Sequence, residues 1–178
     1  SAVVHDTQRA ADIIRKLRNL FRMSKGDYTA LELNEVVQEV LDLVQSKMKH
    51  ADIGCTVNWD PHLRVHGDAT QLQQVVLNLL NNAIDALTES CCDKPELRIR
   101  GKVVGDQLHL EVEDNGPGIK PEVRKHIFEP FFTTKPTGSG TGLGLSLSYD
   151  IVKAHGGELK VETKEGEGSE FIIQIPTN

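Results

Sequence analysis

Between Ala69 and Leu87 the apolar residues Leu72, Val75, Val76, Leu79, Leu80, Ala83 and Leu87 return at intervals of three and four. Such spacing puts them on one stripe of an α-helix, so this segment must bury one side against another layer. Asp68 stands just before it, and an aspartate there can cap the free N–H groups of the first turn. With 178 residues there is room for one medium domain and a short appendage, so the opposing layer has to come from the same chain. Two amides interrupt the helix, Asn78 and Asn82, four residues apart and therefore on one face. Amide oxygens can ligate a hard cation such as Mg²⁺. Taken alone, the pair equally suits buried amides with local partners.

The flanking segments supply the other layer. Asn34 is expected to cap a helix whose apolar side carries Val36, Val37, Val40, Leu41, Val44 and Met48. A strand is expected over Cys55 to Trp59, bounded by Asp60 and Pro61. Strands from Glu96 to Val104 and from Gln107 to Glu113 meet at Gly105 and Asp106, a connection short enough for an antiparallel hairpin. Pro130 to Gly144 contains six glycines and prolines without periodicity and reads as a long mobile loop. A helix from about Leu143 to Ala154 should stop at His155, Gly156 and Gly157. Two last strands, Glu158 to Thr163 and Ser169 to Ile175, flank a turn. Helices interleaved with antiparallel hairpins imply an α+β two-layer sandwich.

Charge and composition narrow the function classes. Acidic residues outnumber basic ones by 26 to 20, a formal charge of −6, which argues against nucleic acid as the main partner. No apolar run nears the roughly 20 residues of a spanning helix, and the opening SAVVHDTQRA has no secretory pattern. A cytoplasmic setting without membrane contact by this segment is the expectation. Cys55, Cys91 and Cys92 have no metal-knuckle spacing and read as free thiols.

Two clusters remain. Asp114-Asn115-Gly116-Pro117-Gly118-Ile119 follows a strand; its glycines permit a sharp turn, and its carboxylate can accept a hydrogen bond from an amino group such as that of adenine. The same string is also ordinary turn chemistry. Gly138-Ser139-Gly140-Thr141-Gly142-Leu143-Gly144-Leu145 runs into a helix, where backbone N–H groups and the helix N-terminus can receive phosphate oxygens. No Lys follows the glycines as in a P-loop. The dinucleotide pattern also fails, with Leu143 or Leu145 at its sixth position.

Taken together and in order, these segments resemble the histidine kinase ATP-binding domains of the gyrase, Hsp90, histidine kinase and MutL superfamily. QLQQVVLNLLNNAIDAL resembles the asparagine box, DNGPGI the first glycine box, FEPFFTTK the phenylalanine box and GSGTGLGLSLSYDIVKAHGG the second glycine box. The closing GEGSEFIIQIP is similar to the family's last glycine turn and strand, so the likeness covers about Tyr28 to Pro176. It implies a Bergerat-type sandwich, a mixed sheet backed by helices, binding ATP with Mg²⁺. Asn82 would ligate the metal, Asn78 would support the triphosphate, and Asp114 would read the adenine amino group. Gly140, Gly142 and Gly144 would approach the phosphates. Asp85, Gly116, Gly118, Ile119, Phe131, Thr134, Thr141 and Leu143 complete the implied nucleotide site, with Asn78 and Lys135 in catalytic roles.

The resemblance also implies a kinase, with a superfamily ATP hydrolase or a non-catalytic nucleotide-binding regulatory module as the alternatives. Hydrolases of the superfamily place a Glu one turn before the metal-binding Asn, where it activates water; here that position is Asn78. The acceptor would be a histidine, and a response-regulator receiver domain would take the phosphoryl group afterwards. Residues 1–25 resemble the second helix of a dimerisation and phosphotransfer hairpin, with Ala10, Ile13, Ile14, Leu17, Leu20 and Phe21 as its apolar stripe, and the catalytic domain would span 28–178. The first helix, with the accepting histidine, is expected on a segment absent from this chain, and a homodimer would form through such helices. His5 lacks the Pro or Asn that usually follows in the family's histidine box and is not expected to be the acceptor.

Overall fold

The computed structural model describes residues 26–177. The helix expected within residues 1–25, and His5 with it, lies outside the described residues.

The chain enters through β1 (Thr29–Glu32) and passes directly into α1 (Leu33–His50). There follow β2 (Gly54–Trp59), β3 (Arg64–Gly67), α2 (Ala69–Glu89), β4 (Glu96–Val104) and β5 (Gln107–Asp114). A single turn, α3 (Pro121–Arg124), precedes the glycine-rich segment, and α4 (Gly144–Ala154), β6 (Glu158–Lys164) and β7 (Gly168–Pro176) complete the domain. The main sheet has the order β2-β4-β5-β7-β6, and β1 pairs with β3 in a separate two-stranded ribbon. Only β2 runs parallel to its neighbour, β4, as a connection through α2 requires; all other pairs are antiparallel, which makes the sheet mixed.

The period-2 alternation of the strands decides which face meets the helices. Leu97 and Ile99 on β4, Leu108, Leu110 and Val112 on β5, and Phe171, Ile173 and Ile175 on β7 are buried against α1, α2 and α4. The intervening residues form an ionic ladder on the other face: Arg100 contacts Glu111 at 2.8 Å, Glu113 at 2.8 Å and Glu170 at 2.5 Å. Central α2 packs against both α1 and α4, and its fully buried Leu72, Leu79 and Leu80 lie on the predicted stripe, which the structure extends to Ile84. Each such side chain contributes about 1.5–3 kcal/mol of burial.

Helix boundaries agree with the sequence reading at α2 and differ at α1. Asp68 caps α2 as expected, its Oδ1 accepting from the Gln71 N–H at 2.9 Å. Asn34 does not cap α1. That helix starts at Leu33, Glu32 occupies the cap position without a side-chain bond, and Asn34 lies in the first turn with Oδ1 buried and unpartnered. The start is fixed instead by tertiary pairing: β1 is bound to β3, and the Leu33 N–H donates to the Leu63 carbonyl at 2.7 Å.

Where α4 ends, His155 ties the helix to the chain entry. Its Nδ1 lies 2.8 Å from the Ile151 carbonyl, its Nε2 accepts from the Asp68 N–H at 3.1 Å, and its ring packs on Tyr28 with centroids 4.8 Å apart.

Candidate functional site

Along the exposed side of α2, the residues that interrupt its apolar pattern border a cavity of about 1100 Å³. Asn78, Asn82 and Asp85 form its floor, the segment after β5 closes one end, and the glycine-rich stretch before α4 covers the other.

Asp114 reaches the cavity because it is the last inward-facing position of β5, continuing the set Leu108, Leu110 and Val112. It is 6% exposed, and its Oδ1 accepts from the Gly116 N–H at 2.9 Å. Burial pushes its carboxyl up to about 6, despite the opposing hydrogen bonds from the Gly116 and Ser169 backbone, with the Glu113 charge adding to the rise. A raised carboxyl favours the fold in its protonated form, so this contribution is complete below the ordinary carboxylate range and is lost as pH rises through about 6. We expect up to about 3 kcal/mol from this group. Urea unfolding of wild type and Asp114→Asn at pH 5 and pH 7.5 checks it: a stability difference between the two that does not change with pH would contradict the assignment.

Gly118 sits below Asp114 with φ +69°, and a Cβ there would lie 2.1 Å from the Lys164 carbonyl oxygen. The loop can therefore lie flat on the β6–β7 turn, where the Ile119 N–H donates to Thr163 Oγ1 at 2.9 Å. Gly118 and Ile119 line the cavity. Gly116 packs behind it, against Ala86.

At the opposite end, Asn78 is fully engaged with its own protein. Its Nδ2 donates to the Gly144 carbonyl at 3.1 Å and to Ser148 Oγ at 3.2 Å, while Oδ1 accepts from Gln74 at 3.1 Å. This amide pins the N-terminus of α4 to α2. One turn further on, Asn82 also lines the cavity and makes no side-chain hydrogen bond to the described residues. An amide oxygen left available at a cavity wall is a suitable donor for a hard divalent cation. Among the described residues no His, Cys, Asp and Glu cluster offers an alternative metal site.

Thr134, Lys135, Gly140, Thr141, Gly142 and Gly144 line the same cavity. Gly142 has φ +67°, and a Cβ on it would meet the Phe131 carbonyl carbon at 2.3 Å, so the glycine segment folds against the phenylalanine segment. Besides Gly116, two expected residues lie elsewhere. Phe131 is 63% exposed with φ +66°, and its neighbour Phe132 lines the cavity instead; Leu143 is buried beneath the start of α4. The phenylalanine segment carries adjacent rings, and a local sequence pattern does not say which one a turn directs inward.

Lys135 Nζ lies 2.5 Å from Asp85 Oδ2, and Lys47 Nζ lies 2.7 Å from Asp85 Oδ1. Burial would raise the Asp85 carboxyl, but the hydrogen bonds and charges of Lys135 and Lys47 outweigh it and hold the group below its ordinary value. Sequence reasoning missed Lys47. The available signal was its position three residues after Val44 and one before Met48, at the margin of the buried stripe of α1.

Several known proteins are similar to this chain. The family described as histidine kinase-, DNA gyrase B-, and HSP90-like ATPase matches residues 67–178. The signal transduction histidine-protein kinase AtoS of Escherichia coli (strain K12) is 36% identical over 180 residues, taking in 100% of this chain; the chain spans 29% of that protein's length. The catalytic domain of histidine kinase ThkA superposes with a TM-score of 0.75 at 36% identity, over 85% of this chain and 96% of that one. Histidine kinase ThkA in complex with response regulator protein TrrA superposes with a TM-score of 0.76 at 29% identity, over 97% of this chain and 49% of that one.

Proposed function

Since the chain belongs to the histidine kinase-, DNA gyrase B-, and HSP90-like ATPase family, as the ATP-binding catalytic domain of a histidine kinase, we propose that it transfers the γ-phosphoryl group of MgATP to a histidine on a dimerisation helix. A response-regulator aspartate would receive the group next, a reading supported by the similarity to ThkA in its complex with TrrA. In the same reading, residues 1–25 belong to the dimerisation hairpin, 28–178 form the catalytic unit, and homodimers assemble through the helices. The domain works in the cytoplasm; no described helix is long and apolar enough to cross a membrane.

Asn78 carries the choice of kinase over hydrolase. Its place one turn before Asn82 is occupied by an amide whose hydrogen-bonding groups face Gly144, Ser148 and Gln74. An amide cannot accept a proton from water at neutral pH, and Asp85, neutralised by two lysines, is a weak base. With no carboxylate at that position to activate water, the reacting nucleophile in this reading comes from another domain, as an imidazole there would.

Within the cavity Asp114 accepts a hydrogen bond from the adenine amino group, and Ile119 and Phe132 flank the base. Backbone N–H groups from Gly140 to Gly144 and the N-terminus of α4 receive phosphate oxygens. Asn82 would hold Mg²⁺, which would supply charge neutralisation at the phosphates. Phosphoryl transfer of this kind depends on positioning and charge neutralisation, and the chain's own residues supply the positioning.

ATP affinity should fall by about 1–3 kcal/mol in Asp114→Asn, the range for a hydrogen bond to a charged group. GTP, with a carbonyl where adenine has its amino group, should bind more weakly than ATP to wild type. The penalty of the substitution should shrink as pH falls through about 6, where Asp114 itself becomes neutral. Equal calorimetric affinities for ATP and GTP would remove Asp114 from this role. Labelled phosphate should pass from ATP to a separately supplied histidine-bearing hairpin but not accumulate on the chain alone; acid-labile label lost in His5→Ala would make His5 the acceptor.

A further inference from the structure

The cavity floor holds a carboxylate that a polyphosphate site does not need. Asp85 lines the cavity, and bare negative charge there would repel the proposed ligand. Its charge is covered twice, by Lys135 at 2.5 Å and by Lys47 at 2.7 Å. The two ammonium groups are not equivalent. Lys47 stands on α1, a helix packed against α2, and is held by a second acceptor, Asn81 Oδ1, at 3.1 Å. Lys135 stands on the glycine-rich cover, where its own N–H donates to Thr133 Oγ1 at 3.1 Å and Gly140 passes close to its side chain.

We infer that Asp85 is the seat of a latch on this cover: Lys135 rests on it before nucleotide binds and is handed to phosphate oxygens afterwards, while Lys47 stays behind as the counter-ion. This rests on the ATP reading above. Removing the only partner of a half-buried carboxylate is strongly unfavourable, because the charge left behind is uncompensated. With two partners, one can leave while the other keeps the carboxylate paired. Lys47 thus acts as a positioning residue for phosphate recognition. Asp85 does not ligate the nucleotide but sets how readily Lys135 is released.

The two partners of the latch then have opposite effects. In Asp85→Asn, Lys135 is no longer held, so amide exchange across residues 133–142 should accelerate without nucleotide, and ATP binding relative to adenosine should tighten roughly threefold to fivefold. In Lys47→Met, Lys135 becomes the only counter-ion of Asp85, so ATP binding relative to adenosine should weaken by a similar factor, and Lys47→Arg should restore it. Calorimetry with ATP and with adenosine, together with hydrogen exchange of the nucleotide-free protein, reads all of these. Opposite signs, restoration by Arg and faster exchange of residues 133–142 in nucleotide-free Asp85→Asn together support the latch. Weakening in both variants, or unchanged exchange of residues 133–142 in Asp85→Asn, overturns it. Failure of wild type to bind either ATP or adenosine would instead refute the nucleotide reading, and the exchange measurement still decides whether Lys135 is held by Asp85.

Discussion

Asn82→Ala should lower phosphoryl transfer to a supplied acceptor hairpin by roughly a hundredfold to a thousandfold, the effect of losing several kcal/mol of charge stabilisation at a metal-bound phosphate. The fold should not notice. Asn82 is half-buried and its side chain hydrogen-bonds to none of the described residues, so truncating it leaves no protein group unsatisfied. Adenosine binding should persist, because Asp114 and the segment beneath it lie at the other end of the cavity. Asn78→Ala is the informative control: it removes the hydrogen bonds to Gly144 and Ser148 and should reduce thermal stability along with transfer. Transfer by Asn82→Ala within a few-fold of wild type, in the presence of Mg²⁺, would reject Asn82 as the metal ligand.

Gly118→Ala should destabilise the domain by about 2–5 kcal/mol, combining left-handed backbone strain with overpacking. A Cβ would stand 2.1 Å from the Lys164 carbonyl oxygen and 2.7 Å from its carbon, both backbone atoms that cannot rotate away. The loop would have to lift from the β6–β7 turn, losing the bond from Gly166 N–H to the Pro117 carbonyl and that from Ile119 N–H to Thr163. Gly138→Ala separates the two causes. Gly138 also has positive φ, +97°, but nothing lies within 4 Å of its Cβ position, so only strain remains. Urea melts should rank Gly118→Ala well below Gly138→Ala; equal stabilities would mean that the turn yields and the contact carries no weight.

Much of this architecture was readable wherever a local repeat sufficed. The three-and-four spacing along α2, the capping Asp68 and the alternation in β4 and β5 each follow from neighbouring residues. Three features escaped for a common reason, namely that they depend on distant partners. The ribbon of β1 and β3 joins four-residue strands through pairs such as Thr29 with Gly67, too short for a periodic signal. Leu63 positions the start of α1 from outside that helix, which is why Asn34 was a misleading cap. Lys47 enters the site only because α1 packs beside α2. The nucleotide motifs were legible as strings, but a string does not distinguish a residue that lines the cavity, such as Phe132, from one turned outward, such as Phe131.

The placement of Asp114 ties recognition to strand alignment. It faces the helices because β5 pairs with Asp114 opposite Leu97 on one side and Ser169 on the other. A slip of β5 by one residue would exchange its faces, carrying Leu108, Leu110 and Val112 into water and His109, Glu111 and Glu113 into the core. Asp114 would turn away in the same movement. Burial of the hydrophobic face and presentation of the carboxylate proposed to read adenine are thus a single geometric decision, so a molecule that used Asp114 to recognise a nucleotide would already have proofread its own strand alignment.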